Sequence, residues 1–294
     1  MKTLIHVSFN HGESSYRPVR RLLEKIGCPD GLAGLETPFP GLFHRTFDSN
    51  DSVLRELRAA LRKAGLEWRE IVDRRYEDTE LREYPLLQLA PRKPLFEGGG
   101  PKYGTMYDRA SGCARCGTGA AQTSPLKVPA GSVPKTGQIC GTYRGDFLVG
   151  KALATEFRKA KLSGLELRQV RSHRGNEPLP WWQIISIHTM PKLSPKTTGM
   201  IHDTRPGWAC PACGRDCFQG MDQMVYSRKV VDVAALPDVV HTWECFGASV
   251  SHDDPEYDTS CGPAQPLILV KVKVFDVFRR LKVKYAEFSP VRFV

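Results

Sequence analysis

The spacing of hydrophobic residues near the start of the chain predicts a helix followed by a strand. In the segment DSNDSVLRELRAALRKAGLEWREIV, Val53, Leu54, Leu57 and Leu61 recur at helical spacing after residues that favour a helix N-terminus. Gly65 interrupts this pattern, and an alternating run typical of a strand follows it. The first part of the chain is therefore expected to be an α+β segment.

A stretch rich in glycine and proline, RKPLFEGGGPKYGT, indicates a domain boundary near residue 98. It separates an N-terminal α+β extension, residues 1–98, from a second region, residues 99–294. Within that region LPWWQIISIHTMP (Leu179–Pro191) is rich in β-branched and aromatic residues and predicts a buried strand. TWECFGASV (Thr242–Val250) predicts another strand.

The second region contains an internal repeat. Val149–Arg171 aligns without gaps on Val270–Arg292, with seven identities in 23 positions. In each copy apolar residues at i and i+4 predict a helix, which leads through a short basic turn into a strand. The period of about 121 residues is too long for a solenoid, whose repeats span about 20–50 residues. The pattern predicts two related α+β halves, each with a largely antiparallel sheet.

Composition places the chain among folded, soluble proteins of a reducing compartment. It has 294 residues, of which 41% are hydrophobic and 25% charged. The N-terminal sequence lacks the uninterrupted apolar core of a signal peptide, and no apolar run reaches the length of a membrane helix. Four of the nine cysteines form Cys-x-x-Cys pairs, which in such a compartment indicate metal or redox chemistry. We therefore expect a cytoplasmic protein that does not associate with a membrane.

The net charge of +10 is concentrated in the middle of the chain. Residues 101–209 contain 16 Lys and Arg against 6 Asp and Glu, whereas residues 1–100 and 210–294 are nearly balanced. From Val230 to Val270 there are seven acidic residues and no Lys or Arg. This asymmetry favours electrostatic pairing, either within the chain or with a partner, although an ordinary solvated surface would also account for it.

Two short cysteine motifs carry the most specific chemistry. CARCG contains Cys113 and Cys116, and CPACG contains Cys210 and Cys213. A Cys-x-x-Cys-Gly turn is a zinc knuckle, in which two thiolates reach one ion and the glycine takes a positive φ that a side chain would penalise. Each knuckle supplies two ligands, whereas a structural zinc takes four.

Three arrangements of these cysteines are open from the sequence. The preferred one is a single structural Zn²⁺ held by all four cysteines in a zinc-ribbon-like site. Alternatively each knuckle recruits outside ligands, for which Cys217, His202 and Cys140 are candidates. The third is no metal at all, because the halves of a ribbon are usually only about 12–20 residues apart. A thioredoxin-like redox role is disfavoured, since neither pair opens a clear helix.

The chain shows no recognisable catalytic constellation. It lacks a His-Glu-x-x-His zinc motif, the deaminase zinc signature, a phosphate-binding P-loop and a Gly-x-Ser-x-Gly nucleophile turn. A catalytic zinc would also keep an open ligand position. We therefore expect that the protein is not an enzyme.

The two knuckles, each upstream of a strand that ends in E-[LF]-x-x-V-R, resemble the double-CXXCG motif proteins of myxobacteria. The similarity covers about residues 107–294 and rests on CARCG, CPACG, GLELRQVR with the following WWQI, and the terminal EFSPVRF. Some members of that family are immunity proteins encoded beside polymorphic toxins. The resemblance implies a cytosolic, non-catalytic, zinc-ribbon-like protein that neutralises a cognate toxin by binding it.

Two binding functions remain as expectations. An immunity protein could present the acidic stretch that includes Asp253, Asp254, Glu256 and Asp258 to a basic toxin. A nucleic-acid-binding zinc protein would instead use the basic block 101–209, together with aromatic side chains for base stacking. The aromatic candidates in that block are Tyr107, Tyr143, Trp181 and Trp182.

Overall fold

A computed structural model of the chain describes residues 2–10, 21, 24, 42–63, 65–202, 209–219, 221–247 and 264–294. The chain divides into two units, Met1–Glu80 and Leu81–Val294. Several sheets and a few helices make up the structure, which confirms the predicted α+β class. The predicted helix is present as α1 (Ser52–Lys63).

The first unit is a three-stranded antiparallel sheet with α1 packed against it. Its strands are β1 (Lys2–Asn10), β2 (Leu42–Asp48) and β3 (Arg69–Arg75), in the order β2-β1-β3. Leu54, Leu57 and Leu61 of α1 are fully buried and pack on Val7 and Phe9 of the central strand. The helical spacing seen in the sequence thus places one apolar face of α1 on this sheet.

The second unit contains two larger sheets and two nine-residue helices. A four-residue helix, α2 (Asp78–Leu81), precedes them, and the longer helices are α3 (Lys151–Lys159) and α4 (Val272–Arg280). The first sheet has the order β5-β9-β10-β12-β11-β8, the second has the order β13-β14-β16-β17-β4-β18-β15, and β6 pairs with β7. The strands are β4 (Leu87–Pro91), β5 (Leu95–Phe96), β6 (Tyr107–Asp108), β7 (Ala121–Gln122), β8 (Lys127–Val128), β9 (Ile139–Thr142), β10 (Phe147–Gly150), β11 (Leu165–Ser172), β12 (Pro178–Ser186), β13 (Ile201–His202), β14 (Phe218–Gln219), β15 (Met224–Tyr226), β16 (Val239–Phe246), β17 (Gln265–Val270) and β18 (Ala286–Phe293).

Five strands of the first sheet have counterparts in the second. The series β9-β10-β12-β11-β8 matches β16-β17-β4-β18-β15, and in both series the last pair is parallel whereas the other three pairs are antiparallel. The segments that repeat in the sequence occupy equivalent places, since α3 follows β10 as α4 follows β17. A common origin of the two halves stays a prediction, but their architecture is the same.

The register of the central strands is also the same. Gln183 in β12 faces Leu148 and Arg168, and Gln88 in β4 faces Leu269 and Ser289. Each pair of partners is separated by 121 residues, the offset of the sequence repeat. In chain order, the central strand is the last strand of the first sheet (β12) but the first strand of the second sheet (β4). The two sheets therefore have a permuted strand order.

The turns after the two helices match in backbone conformation. Lys161 and Lys282 both have positive φ angles, of 49° and 50°. Five residues after each helix ends, Gly164 and Tyr285 do as well, with φ angles of 74° and 65°. Positive φ is uncommon outside glycine, so its recurrence at equivalent positions marks one turn used twice.

The unit boundary lies before β4 rather than near residue 98, where the glycine-rich stretch indicated it. β4 pairs with β17 and β18 in the middle of the second sheet, and this pairing makes it part of the second unit. The glycines after β5 belong to the same unit, and Gly99 donates its N–H to the carbonyl of Lys127 over 3.1 Å. The high glycine content of this stretch therefore marks a loop inside the second unit and not a boundary between units.

The two longer helices contact each other through equivalent residues. Phe157 of α3 and Phe278 of α4 are almost fully buried, and their ring centroids lie 5.8 Å apart. Arg280 of α4 also donates to the carboxylate of Glu156 over 3.2 Å. Contact between equivalent residues is the arrangement of a two-fold, isologous interface, here formed within one chain.

Candidate metal centre

The two knuckle turns have the same backbone geometry. The N–H of Gly117 donates to the carbonyl of Cys113 over 2.8 Å, and that of Gly214 donates to Cys210 over 3.1 Å. Both glycines have positive φ, 68° and 58°, as the sequence predicted. A Cβ atom at either position would meet nothing within 4 Å, so glycine is favoured for its backbone conformation and not for lack of space.

The four cysteines predicted as ligands lie together. Their sulfur atoms are all within 4.8 Å of one another, although the two motifs are 97 residues apart. Each close pair joins equivalent residues of the two knuckles, with Cys113 Sγ 3.9 Å from Cys210 Sγ and Cys116 Sγ 3.5 Å from Cys213 Sγ. The cluster could therefore hold one metal ion, with ligands from both knuckles.

These distances suit tetrahedral coordination by sulfur. A zinc–thiolate bond of about 2.3 Å places the sulfurs of a regular tetrahedron about 3.8 Å apart. The pairs at 3.5 and 3.9 Å lie on either side of that value. Cys116 and Cys210 are buried, whereas Cys113 and Cys213 are partly exposed, so the cluster is near the surface but shielded from bulk water.

Without a cation, burial keeps part of this cluster protonated. Burial raises the pKa of the Cys116 thiol and raises the pKa of Cys213 to about 11. Burial also disfavours the Cys113 thiolate, but N–H groups of Cys116 and Arg115 donate to its sulfur and lower its pKa to about 7. Four neighbouring thiolates would repel one another, and a divalent cation would remove that repulsion.

Hydrogen bonds from outside the motifs hold each knuckle in place. The Cys210 N–H donates to Asp216 Oδ1 over 3.0 Å, and Asp216 is fully buried. The Cys113 N–H donates to the carbonyl of Thr118 over 3.0 Å. A buried carboxylate that accepts a hydrogen bond from the backbone of a metal ligand helps to orient that ligand. Asp216 was not predicted from the sequence, where its signal is its position three residues after Cys213.

The other proposed ligands do not join the cluster. Cys217, Cys140 and His202 are absent from the group of neighbouring ligand atoms found among the described residues. His202 instead stacks on Phe218, with ring centroids 4.3 Å apart, and Cys140 is buried in the core of the first sheet. The arrangement with two separate mixed sites therefore finds no support in the described part of the chain.

The residues suggested for partner binding fall in two classes. Asp253, Asp254, Glu256 and Asp258 lie outside the described residues. Of the aromatic side chains considered for base stacking, Trp181 is 2% exposed and donates to the carbonyl of Pro134, so it belongs to the core. Trp182 is covered by the guanidinium of Arg158 at 5.5 Å, and only Tyr143, at 73% exposure, is freely accessible.

No family model matches the chain, and no curated protein is significantly similar to it. Among the described residues, no helix has the length and apolar character needed to cross a membrane.

Proposed function

We propose that the chain is a non-catalytic zinc protein that acts by binding another protein. The observation that carries the proposal is the set of four sulfur atoms within 4.8 Å, contributed equally by two equivalent knuckles. Four thiolates fill a tetrahedral zinc shell and leave no position for substrate or water, which is the arrangement of structural rather than catalytic zinc. The metal would fix the two knuckles relative to each other.

Soft sulfur ligands favour zinc over the hard cations magnesium and calcium, which take oxygen ligands. The same four-sulfur set suits iron, so the identity of the metal is part of the test.

The kind of binding follows from the resemblance to double-CXXCG proteins. As in the immunity proteins of that family, the scaffold would present a charged surface to a cognate toxin. The acidic residues between Val230 and Val270 suit a basic toxin, since complementary charge speeds association and selects the partner. The nucleic-acid alternative is weakened by the burial of Trp181.

Metal analysis of purified variants tests the shared site. We expect one zinc per chain in the wild type, and loss of all of it in both Cys113→Ser and Cys210→Ser, because each removes a ligand from the same ion. Cys140→Ala, which removes a buried thiol outside the cluster, should retain the metal. Half-occupancy in either serine variant would contradict a single shared site.

Co-expression tests the immunity function. If a toxin gene adjoins the gene for this chain, we expect co-expression to restore growth and the two proteins to copurify in a fixed ratio. Cys210→Ser should lose both effects, because the scaffold that carries the binding surface loses its metal. Absence of rescue, together with a mobility shift of generic DNA that weakens steeply with salt, would favour the nucleic-acid alternative instead.

Zinc affinity is expected to fall steeply as the pH falls. At neutral pH without metal, Cys116 and Cys213 retain their protons because burial raises the pKa of both thiols. Zinc must displace at least these two protons, so the apparent affinity should drop at least about 100-fold per pH unit near neutrality. Competition with a chromophoric chelator between about pH 6 and pH 8 measures the slope. A slope near zero would show that the metal, if bound, is not held by thiolates.

A further inference from the structure

The second unit contains a cavity of about 530 Å³ beside the metal centre, formed between the two sheets. Its walls come from β10, β11 and β12 of the first sheet and from β16 and β17 of the second. The volume is within the range of small-molecule sites, which is about 300–1,000 Å³. At the rim, Ile187 is 70% exposed, so the cavity is open to solvent at that point. Nothing in the zinc proposal uses this cavity.

One side of the cavity is a buried polar network. Gln183 donates from Nε2 to Asp146 Oδ1 over 2.9 Å, and its amide exchanges hydrogen bonds of 2.9 Å with that of Gln122. The hydroxyl of Thr142 donates to the other oxygen of Asp146 over 2.7 Å. Because its members satisfy one another, this network forms a rigid wall with little free hydrogen-bonding capacity.

Two lining groups do have free capacity. The Tyr107 hydroxyl is buried and has no hydrogen-bond partner among the described residues. Burial, followed by the charge of Asp146, raises the pKa of Tyr107 to about 12, so the group remains a neutral donor. A buried donor without an acceptor costs about 1–3 kcal/mol, and a ligand oxygen would remove that cost.

The second group is the guanidinium of Arg215. Its Nε donates to the carbonyl of Trp243 over 2.9 Å and its plane lies near the Trp243 ring, 5.1 Å from the ring centroid. No carboxylate of the described residues lies within ion-pair distance of it. The terminal nitrogens of Arg215 are therefore held in place and available to an anion at the cavity wall.

The remaining ionisable groups of the wall do not compensate this charge. Arg168 and Glu166 pair with each other through two hydrogen bonds of 2.9 Å. Burial lowers the pKa of His241 to about 4, so the ring is neutral at physiological pH. Both oxygens of Asp146 accept hydrogen bonds within the polar network, from Thr142 and Gln183. Among the described residues of the wall, Arg215 is therefore the cation without a carboxylate partner.

We propose that this cavity binds a small organic monocarboxylate, with its carboxylate on Arg215 and its apolar body against Phe147, Ile184 and Ile268. A guanidinium matches a carboxylate through two parallel hydrogen bonds. A phosphate dianion is disfavoured, because its second negative charge would lie near Glu166 and Asp146, and no second cation among the described lining residues lacks a carboxylate partner. The three apolar side chains line the same cavity and would cover the rest of the ligand.

Titration with benzoate, by calorimetry and saturation-transfer NMR, tests the site in the full chain with its metal. We expect benzoate to bind and the uncharged methyl benzoate to bind at least about tenfold more weakly, because the ester has lost the anion that Arg215 recognises. Inorganic phosphate should not compete with benzoate. Failure of benzoate to bind, or equal binding of the ester, would overturn the proposal.

Arg215→Gln should weaken benzoate binding about 10–100-fold, the value of a charge-assisted hydrogen-bonded pair. The matched control is Arg158→Gln, since Arg158 also lies on a tryptophan ring, at 5.5 Å, but does not line the cavity. It should bind benzoate like the wild type, and equal losses in both variants would contradict a role for Arg215. Arg215→Lys and Tyr107→Phe keep the test valid if the glutamine variant loses zinc, and both should bind measurably more weakly than the wild type.

Discussion

Removal of the metal by a strong chelator is expected to lower the melting temperature of the second unit by about 10–20 °C. Structural zinc sites contribute folding free energy directly, and a loss of about 5 kcal/mol is a conservative value for a four-thiolate site. For a unit of this size, each kcal/mol corresponds to about 2–4 °C. The effect should be large because four clustered thiols, two of them buried, would be left without their common cation.

Hydrogen exchange would show where the loss is concentrated. Amides of both knuckles, around Cys113 and Cys210, should lose protection first, because their backbone hydrogen bonds are arranged around the cluster. The sheet of the first unit has its own core and should keep its protection. Cys140→Ala should respond to chelation as the wild type does. A chelated chain that melts at the unchanged temperature would show that the cysteines stabilise the fold without metal.

Local patterns in the sequence were sufficient for the elements with a clear hydrophobic period. Leu54, Leu57 and Leu61 give α1 a single apolar face, and the structure buries that face as expected. The run that contains Trp181 and Ile184 likewise forms β12. In both cases the residues that define the element also supply its core contacts, so local sequence and tertiary packing agree.

The sequence favoured one site shared by all four cysteines, but it did not show how the two knuckles come together. The knuckle motifs identify the ligands, whereas their 97-residue separation gives no reason for them to meet. The structure supplies that reason, because the two knuckles belong to halves of the same architecture, whose helices contact each other through equivalent residues as the subunits of a two-fold dimer do. Equivalent positions close to such an axis are neighbours whatever their distance in sequence.

The permuted central strand escaped the sequence analysis for a different reason. An ungapped alignment compares segments in chain order. In the chain, β4 precedes the other strands of the second sheet, whereas β12 follows the other strands of the first sheet, so such an alignment cannot match them. A signal was present: PLLQL at Pro85–Leu89 resembles PWWQI at Pro180–Ile184 and aligns the two glutamines that share a register. The similarity covers only a few residues, and only the pairing of the strands shows that the two segments are equivalent. The cavity was equally hidden, since Tyr107 and Arg215 meet only through the fold.

Replacement of Phe278 by alanine is expected to destabilise the second unit by about 3–5 kcal/mol, the usual cost of deleting a buried phenylalanine ring. The ring is fully buried and its centroid lies within 6.3 Å of those of Phe147, Phe157 and Phe288, so the two halves share the contact. Urea unfolding measures the loss. Tyr143→Ala, at a 73% exposed position, is the control and should change stability by no more than about 0.5 kcal/mol.

The equivalent residue Phe157 allows a double-mutant cycle across the two halves. Phe157→Ala should cost about as much as Phe278→Ala, since each ring is buried against the other at 5.8 Å. The double variant should lose less than the sum of the single losses, by about 0.5–1.5 kcal/mol, because the contact between the rings can be removed only once. Strict additivity would mean that the helices contribute separately to their own sheets. A coupling of the expected size would establish that the two halves are stabilised at their mutual contact as well as at the metal centre.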